Sequence, residues 1–161
     1  MEDVNEIFAD FAALFTGHLD DPSGDDIVHP DRLDRTALDG SLDSLTVVDT
    51  YLEYLHEHRP ERMGQDWSRT VLRAGAYVGE AIRTAAERTY DWIDYDVFTA
   101  EYPDIRRLLG DRGLPVASVL STGDGGFTLP LNKVIKYIAN GSEDSVWFYA
   151  VAECQSSATK A

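Results

Sequence analysis

One long amphipathic segment constrains the fold of this chain more than any other. Between Asp66 and Glu87, apolar and small residues recur at spacings of three and four, which is typical of one face of a helix. These residues are Trp67, Val71, Ala74, Gly75, Val78, Ile82 and Ala85. Gly75 and Gly79 lie four residues apart beside that face, and each glycine costs a helix about 1 kcal/mol relative to alanine. The pair therefore predicts a central helix that another backbone segment approaches closely.

Three further segments are predicted to be helical. Residues 3–16 carry an apolar stripe with acidic residues at its N-terminal end, where they favour the helix dipole. A second helix is expected to begin after Asp43 or Ser44, either of which suits an N-cap, and to end before Pro60. A helix over residues 130–139 begins at a proline and ends at Asn140-Gly141.

The remaining periodic segments predict strands. Residues 92–97 alternate between apolar and acidic side chains, residues 116–120 and 127–129 flank a glycine-rich turn, and residues 146–152 are apolar on both faces. A short helical turn is expected from Pro103 to Leu109. The sequence thus predicts an α+β fold in which N-terminal helices pack on a small antiparallel sheet from the C-terminal half. Residues 1–154 are expected to form a single domain and residues 155–161 a flexible tail.

The charge of the chain excludes some partners and leaves three interpretations open. The 161 residues carry a formal net charge of −15, which disfavours nucleic acids and anionic membranes because both need clustered Lys and Arg. The acidity is interpreted as a solvated surface that maintains solubility, as adaptation to high salt, or as a surface that attracts a basic protein partner. A scarcity of lysine is consistent with the second interpretation and equally with a GC-rich genome.

Compartment and membrane association are predicted from composition. No run of about 18 apolar residues is present, so no segment is expected to span a membrane. The acidic N-terminus does not resemble a signal peptide, and the single Cys154 excludes an internal disulfide. We therefore expect a cytoplasmic protein, with its oligomeric state left open.

Catalytic and metal-binding patterns are not found. Cys154 has no histidine in its half of the chain, since all four histidines precede residue 59. The spacings HxxxH, HExxH and CxxC are absent, and the acidic segment 20–26 lacks the ligand spacing of an EF-hand. The glycine-rich turn at 122–126 lacks the GK[ST] element of a phosphate loop. We predict no catalytic residues, no metal and no cofactor, although a small enzyme stays an alternative.

Two groups of residues are candidates for binding. Tyr77 and Glu80 are expected on the far face of the central helix, among small residues, where they would form one wall of a groove; alternatively, Glu80 is a surface residue paired with Arg83. The second group is Trp92 with Asp94 and Asp96. Its aromatic rings, with those of Tyr90 and Tyr95, would be exposed anchors among acidic residues, or else core residues of the strand.

The order of these features resembles a loose group of small uncharacterised prokaryotic proteins classed as domains of unknown function. The segments AGAYVGE at 74–80, PLNKVIK at 130–136 and NGSEDS at 140–145, with the strand at Trp92, carry the resemblance over about residues 70–150. It implies an α+β fold. Because similar small domains are suspected of acting as immunity or regulatory partners, we expect a non-catalytic protein-binding module that engages a basic partner. A ligand-binding domain or small enzyme that uses Tyr77 and Glu80 is the alternative, as is an acidic surface with no role beyond solubility or salt adaptation.

Overall fold

The computed structural model describes residues 3–59 and 64–159, which form seven α-helices and one three-stranded antiparallel sheet. The helices are α1 (Val4–Thr16), α2 (Leu45–Glu57), α3 (Gln65–Ala85), α4 (Tyr95–Glu101), α5 (Arg106–Leu109), α6 (Pro130–Asn140) and α7 (Val146–Thr159). The strands are β1 (Asp91–Asp94), β2 (Ser118–Ser121) and β3 (Phe127–Thr128), in that order across the sheet. The predicted α+β class, with its sheet in the C-terminal half, is confirmed. Within the described ranges, no helix has the length and apolar character needed to cross a membrane.

Helix α3 is the centre of the fold, as its periodicity predicts. It packs against α1, α6 and α7, and its residues from Ala74 to Gly79 are all buried. A Cβ atom at Gly75 would lie 3.1 Å from the Cα of Leu131, at the start of α6. At Gly79 it would lie 2.5 Å from a ring atom of Trp92. The predicted close approach of a backbone is therefore confirmed at Gly75, whereas at Gly79 the close neighbour is the aromatic ring of Trp92.

The sheet is shorter than predicted because the chain turns into a helix after Asp94. The side chain of Asp94 accepts a hydrogen bond from the backbone N–H of Asp96 and caps α4. In this helix Tyr95 and Phe98 are buried, at helical spacing, while Val97 is 60% exposed. The alternation over residues 92–97 therefore corresponds to a strand only in its first half.

The last element is a helix, so the prediction of a strand at residues 146–152 is wrong. Val146 and Ala150 lie one turn apart on α7 and are fully buried, whereas Phe148 between them is 67% exposed. The carboxylate of Asp49, on α2, accepts hydrogen bonds from the Ser145 hydroxyl and the Val146 N–H and so caps this helix. A short run of apolar residues does not by itself distinguish a strand from a buried helix. Here the hydrogen bonds that Asp49 accepts favour the helix. The helix continues to Thr159 into the predicted tail, whose last residues, 160–161, lie outside the described part.

The acidic segment between α1 and α2 folds over α3. Arg73 of α3 donates to the carboxylate of Asp21 at 2.7 Å, and Arg69 lies 3.3 Å from that of Asp25. This segment covers Arg73, which is only 5% exposed, and Tyr77, which was expected on the far face of the helix, is 3% exposed.

Candidate functional site

A groove of about 520 Å³ lies between α1 and α3. Ala9, Ala12 and Ala13 form the wall on α1, and residues 38–40 close one end. The opposite wall, on α3, consists of Tyr77, Glu80, Ala81 and Thr84. The groove exists because the α1 side chains that face it are small, so the two helix surfaces do not meet there. Tyr77 and Glu80 thus line a groove together.

Tyr77 shapes one end of the groove. Its ring is 3% exposed and packs against Phe15, with the ring centroids 5.6 Å apart. Its hydroxyl accepts a hydrogen bond from the backbone N–H of Gly40 at 2.9 Å and lies 2.6 Å from the hydroxyl of Ser44. Ser44 immediately precedes α2, but its side chain bonds to Tyr77 and to the Ser41 carbonyl and caps no helix N–H. The Tyr77 hydroxyl therefore fastens the loop before α2 to the central helix.

Glu80 is a half-buried carboxylate held in one orientation. It accepts a hydrogen bond from Arg83 at 3.0 Å and a longer one from the Trp92 indole N–H at 3.3 Å. Arg83 also donates to the backbone carbonyl of Tyr90 at 2.9 Å, so the pair is tied to the start of the sheet. The pairing with Arg83 that we considered for a surface glutamate is present, and the same side chain also lines the groove.

Two polar residues of the groove were not predicted from the sequence. Asp39, near the end of the loop, accepts hydrogen bonds from the Ser41 hydroxyl and backbone N–H, and these lower the pKa of its carboxyl group. His18 lies just beyond α1, where its Nδ1 is 2.6 Å from the hydroxyl of Thr16. The sequence signal for this site is the group of alanines on α1, of which Ala12 is buried in the core and Ala9 and Ala13 lie beside it towards solvent.

The groove lies in the most acidic part of the chain. Residues 1–59 contain 15 acidic and 3 basic side chains, and so carry −12 of the total formal charge of −15. Glu6 and Asp10 are exposed, and each lies three residues before a groove-lining alanine and is therefore its neighbour on the helix surface. Exposed negative charge therefore borders the alanine wall of the groove.

The aromatic residues around β1 are core residues. Tyr90, Trp92 and Tyr95 are each 3% exposed, and the Trp92 ring stacks on Phe8 with centroids 4.1 Å apart. Of the two interpretations of these rings, exposed anchors are excluded. Trp92 is brought next to Glu80 by a hydrogen bond, but it fills the space above Gly79 and does not face a partner.

Asp94 and Asp96 are exposed to different degrees and do not line the groove. Their side chains are 39% and 70% exposed, and both lie within 4 Å of Arg112, which partly neutralises them. Asp94 also caps α4. Of the five predicted binding residues, the structure therefore brings Tyr77, Glu80 and Trp92 together and leaves Asp94 and Asp96 apart.

Among the described residues, little supports a metal-binding site or a nucleophilic cysteine. Residues 3–59 and 64–159 contain no group of three or more His, Cys, Asp or Glu side chains arranged to hold a metal ion. In the acidic segment, Asp21, Asp25 and Asp26 are bound by arginines. Cys154 is half-buried, and burial raises the pKa of its thiol, which disfavours the nucleophilic thiolate.

Comparison with known proteins finds no matching family model, no matching curated protein and no matching solved structure. The resemblance of residues 70–150 to domains of unknown function thus gains no support from a relative.

Proposed function

We propose that this chain is a non-catalytic binding module whose groove between α1 and α3 takes a basic segment of a partner protein. The observation that carries the proposal is a groove of about 520 Å³ with alanine walls, located in the part of the chain that holds most of the negative charge. The proposal places the module in the cytoplasm and disfavours nucleic-acid partners, since both groove and surface are acidic.

The shape of the groove suits the long side chains of lysine and arginine. Such side chains lay an aliphatic stem along apolar surface and keep the charged end at a polar site. Ala9, Ala13 and Ala81 provide apolar walls, and the carboxylate of Asp39 provides an anionic end, whereas that of Glu80 is already paired with Arg83. An acidic or purely apolar segment would leave Asp39 without a compensating charge.

The charge around the groove favours the same class of ligand. The Asp39 carboxylate is ionised at neutral pH, and the hydrogen bonds from Ser41, which lower its pKa, favour the same charged form. Glu6 and Asp10 lie beside the alanine wall, so the field extends beyond the groove itself and would steer a cationic segment towards it. Association is therefore expected to weaken as salt rises.

The polar groups of the groove are positioned to maintain its structure and not to act on a substrate. The Tyr77 hydroxyl is engaged by Gly40 and Ser44, and the Glu80 carboxylate by Arg83 and Trp92. Catalysis of acyl or proton transfer needs a nucleophile or base directed at the substrate, and these hydrogen bonds direct both groups towards the protein.

A small cationic ligand is the second candidate. The volume of the groove falls within the range of roughly 300–1,000 Å³ that is usual for small-molecule sites. An organic amine would use the same walls and carboxylates. It would differ from a basic segment in that binding would not depend on residues that flank the cation.

A titration with a short arginine- and lysine-rich peptide, labelled with an uncharged dye, tests the proposal by fluorescence anisotropy. The variants Ala9→Trp and Ala13→Trp fill the groove, while Ala152→Trp places the same side chain on an exposed position of α7 as a control. We expect saturable binding that falls at least about tenfold in both groove variants, a loss of about 1.4 kcal/mol, and is unchanged in the control. Equal binding by all four proteins would refute the groove as the site. Binding of spermidine with no preference for the peptide would favour the second candidate.

A further inference from the structure

Within the part of the chain that the structure describes, two arginines between α4 and β2 differ from all the others. Arg106, Arg107 and Leu108, here called the α5 tip, project from the short helix α5. Leu108 is 80% exposed, and neither arginine contacts a carboxylate within the described residues. Every other arginine in those residues contacts a carboxylate or, for Arg59, backbone carbonyls. In a chain with 29 acidic and 14 basic side chains, two such adjacent cations beside an exposed leucine suggest an intermolecular contact.

The α5 tip is held in a defined position. The hydroxyl of Tyr95 donates to the Gly110 carbonyl at 2.6 Å, and the Gly110 N–H donates to the Arg106 carbonyl at 2.9 Å. On the other side, the Ile105 N–H donates to the Tyr102 carbonyl at 3.0 Å. These bonds fasten both ends of the tip to buried or half-buried residues. Little backbone freedom would be lost when it binds.

We propose that the α5 tip of one copy docks in the groove between α1 and α3 of a second copy. The inference rests on the proposed function, since it names the basic segment that the groove takes. The two guanidinium groups complement the carboxylate of Asp39 and the exposed acidic residues Glu6 and Asp10 beside the groove. Leu108 complements the alanine walls, because burying it there removes an exposed apolar side chain from water.

The contact joins two different surfaces of the chain. The α5 tip and the groove share no residue, so each copy carries both surfaces of the contact. The association is heterologous, because one surface of a copy contacts a different surface of the next copy. A copy whose groove holds a neighbour's tip has no room there for another basic segment. Self-association and partner binding are therefore mutually exclusive, and the assembled form is closed to the partner.

Two variants and their mixture test this contact by sedimentation velocity. The tip variant carries Arg106→Glu, Arg107→Glu and Leu108→Ser, and the groove variant carries Ala13→Trp, with Ala9→Trp as a second groove variant. We expect the wild-type chain to associate as concentration rises at low salt, and each variant alone to be monomeric. An equimolar mixture of tip variant and groove variant forms a heterodimer, because one supplies an open groove and the other an intact tip. The Ala152→Trp control associates like the wild type.

Three results would each overturn the inference: a wild-type chain that stays monomeric at every concentration, association that persists in both groove variants, or a mixture that stays monomeric. Thermal melts of each variant establish that it is folded. The peptide titration separates this inference from the proposed function. A groove that binds the basic peptide in a chain that does not self-associate leaves the proposed function standing and removes only the second copy as its partner.

Discussion

The indole of Trp92 lies over the backbone of Gly79, so closely that a Cβ at position 79 would be 2.5 Å from the ring atom Cη2. The ring has little room to move, since Phe8 stacks on it and its N–H donates to Glu80. This relationship couples the central helix to the sheet and places Glu80 at the groove.

Gly79→Ala is expected to destabilise the fold even though alanine is the better helix former. The gain in helix propensity is about 1 kcal/mol, and overpacking against a fixed ring typically costs about 1–3 kcal/mol. We expect a net loss of up to about 2 kcal/mol in the free energy of unfolding, measured with urea. Gly113→Ala is the control, because its Cβ would meet only ordinary contacts and its backbone is extended. A Gly79→Ala variant as stable as this control would contradict the packing described.

Tyr77→Phe tests whether the Tyr77 hydroxyl holds the end of the groove. The change leaves the buried ring in place and removes the partner of the Gly40 N–H and the Ser44 hydroxyl. We expect a loss of about 1–2 kcal/mol in unfolding free energy, together with weaker binding of the basic peptide. The matched control is Tyr102→Phe, whose hydroxyl makes one long, exposed hydrogen bond of 3.3 Å. Equal stability of the two variants would show that the Tyr77 hydroxyl does not restrain the loop.

Asp10→Asn tests the field around the groove without touching its wall. Asp10 is exposed and lies three residues before the groove-lining Ala13. Removing one exposed charge near a cationic ligand is expected to weaken peptide binding about two- to fivefold at low salt, in line with the modest energies of exposed charge pairs. The difference should vanish at about 1 M KCl, where the Debye length is about 3 Å. Glu101→Gln, an exposed neutralisation on α4, is the control, and a loss of the same size there would assign the effect to net charge alone.

Asp49 is expected to contribute to the pH dependence of stability through α7. Burial raises the pKa of its carboxyl group above the ordinary 3.8, against the hydrogen bonds from Ser145 and Val146 that lower it. A group whose pKa is raised by folding stabilises the fold below the unfolded pKa and loses that contribution as pH rises through the folded value. The stability of the wild type relative to Asp49→Asn should therefore be greatest in acid and decline with rising pH above about 4. Urea unfolding at a series of pH values measures it, and a difference that grows with pH would reverse the assignment.

The parts of the fold that follow local rules were predictable from the sequence. The three- and four-residue spacing of α3 and the pair Gly75 and Gly79 identified the central helix and its close contacts, because glycine in a helix interior is costly unless a neighbour occupies the space of its missing side chain. The wrong predictions concern short apolar runs, whose pattern fits both the helical and the strand repeat. At residues 146–152 the decision depends on Asp49, nearly a hundred residues away, and no local pattern contains it.

The candidate site was predictable only on its helical side. Tyr77 and Glu80 lie in one regular helix, so their relation to each other follows from the helical repeat. Asp39 and His18 reach the groove because the intervening loop is fastened by ion pairs such as that between Arg73 and Asp21. Pairings of this kind between distant residues cannot be read from spacing. The burial of the aromatic cluster at β1 was left open for the same reason, since the glycine that receives Trp92 lies in another element.

The contact between Gly79 and Trp92, like that between Gly75 and Leu131, has a consequence for finding relatives of this chain. Side-chain volume at each glycine is limited by one identified partner, so the two positions of a pair cannot change independently. A homologue with alanine or serine at position 79 should carry a smaller residue at position 92, whereas position 75 should stay glycine, because the backbone of residue 131 lies against it. This pattern would identify distant members of the lineage after overall sequence similarity has been lost.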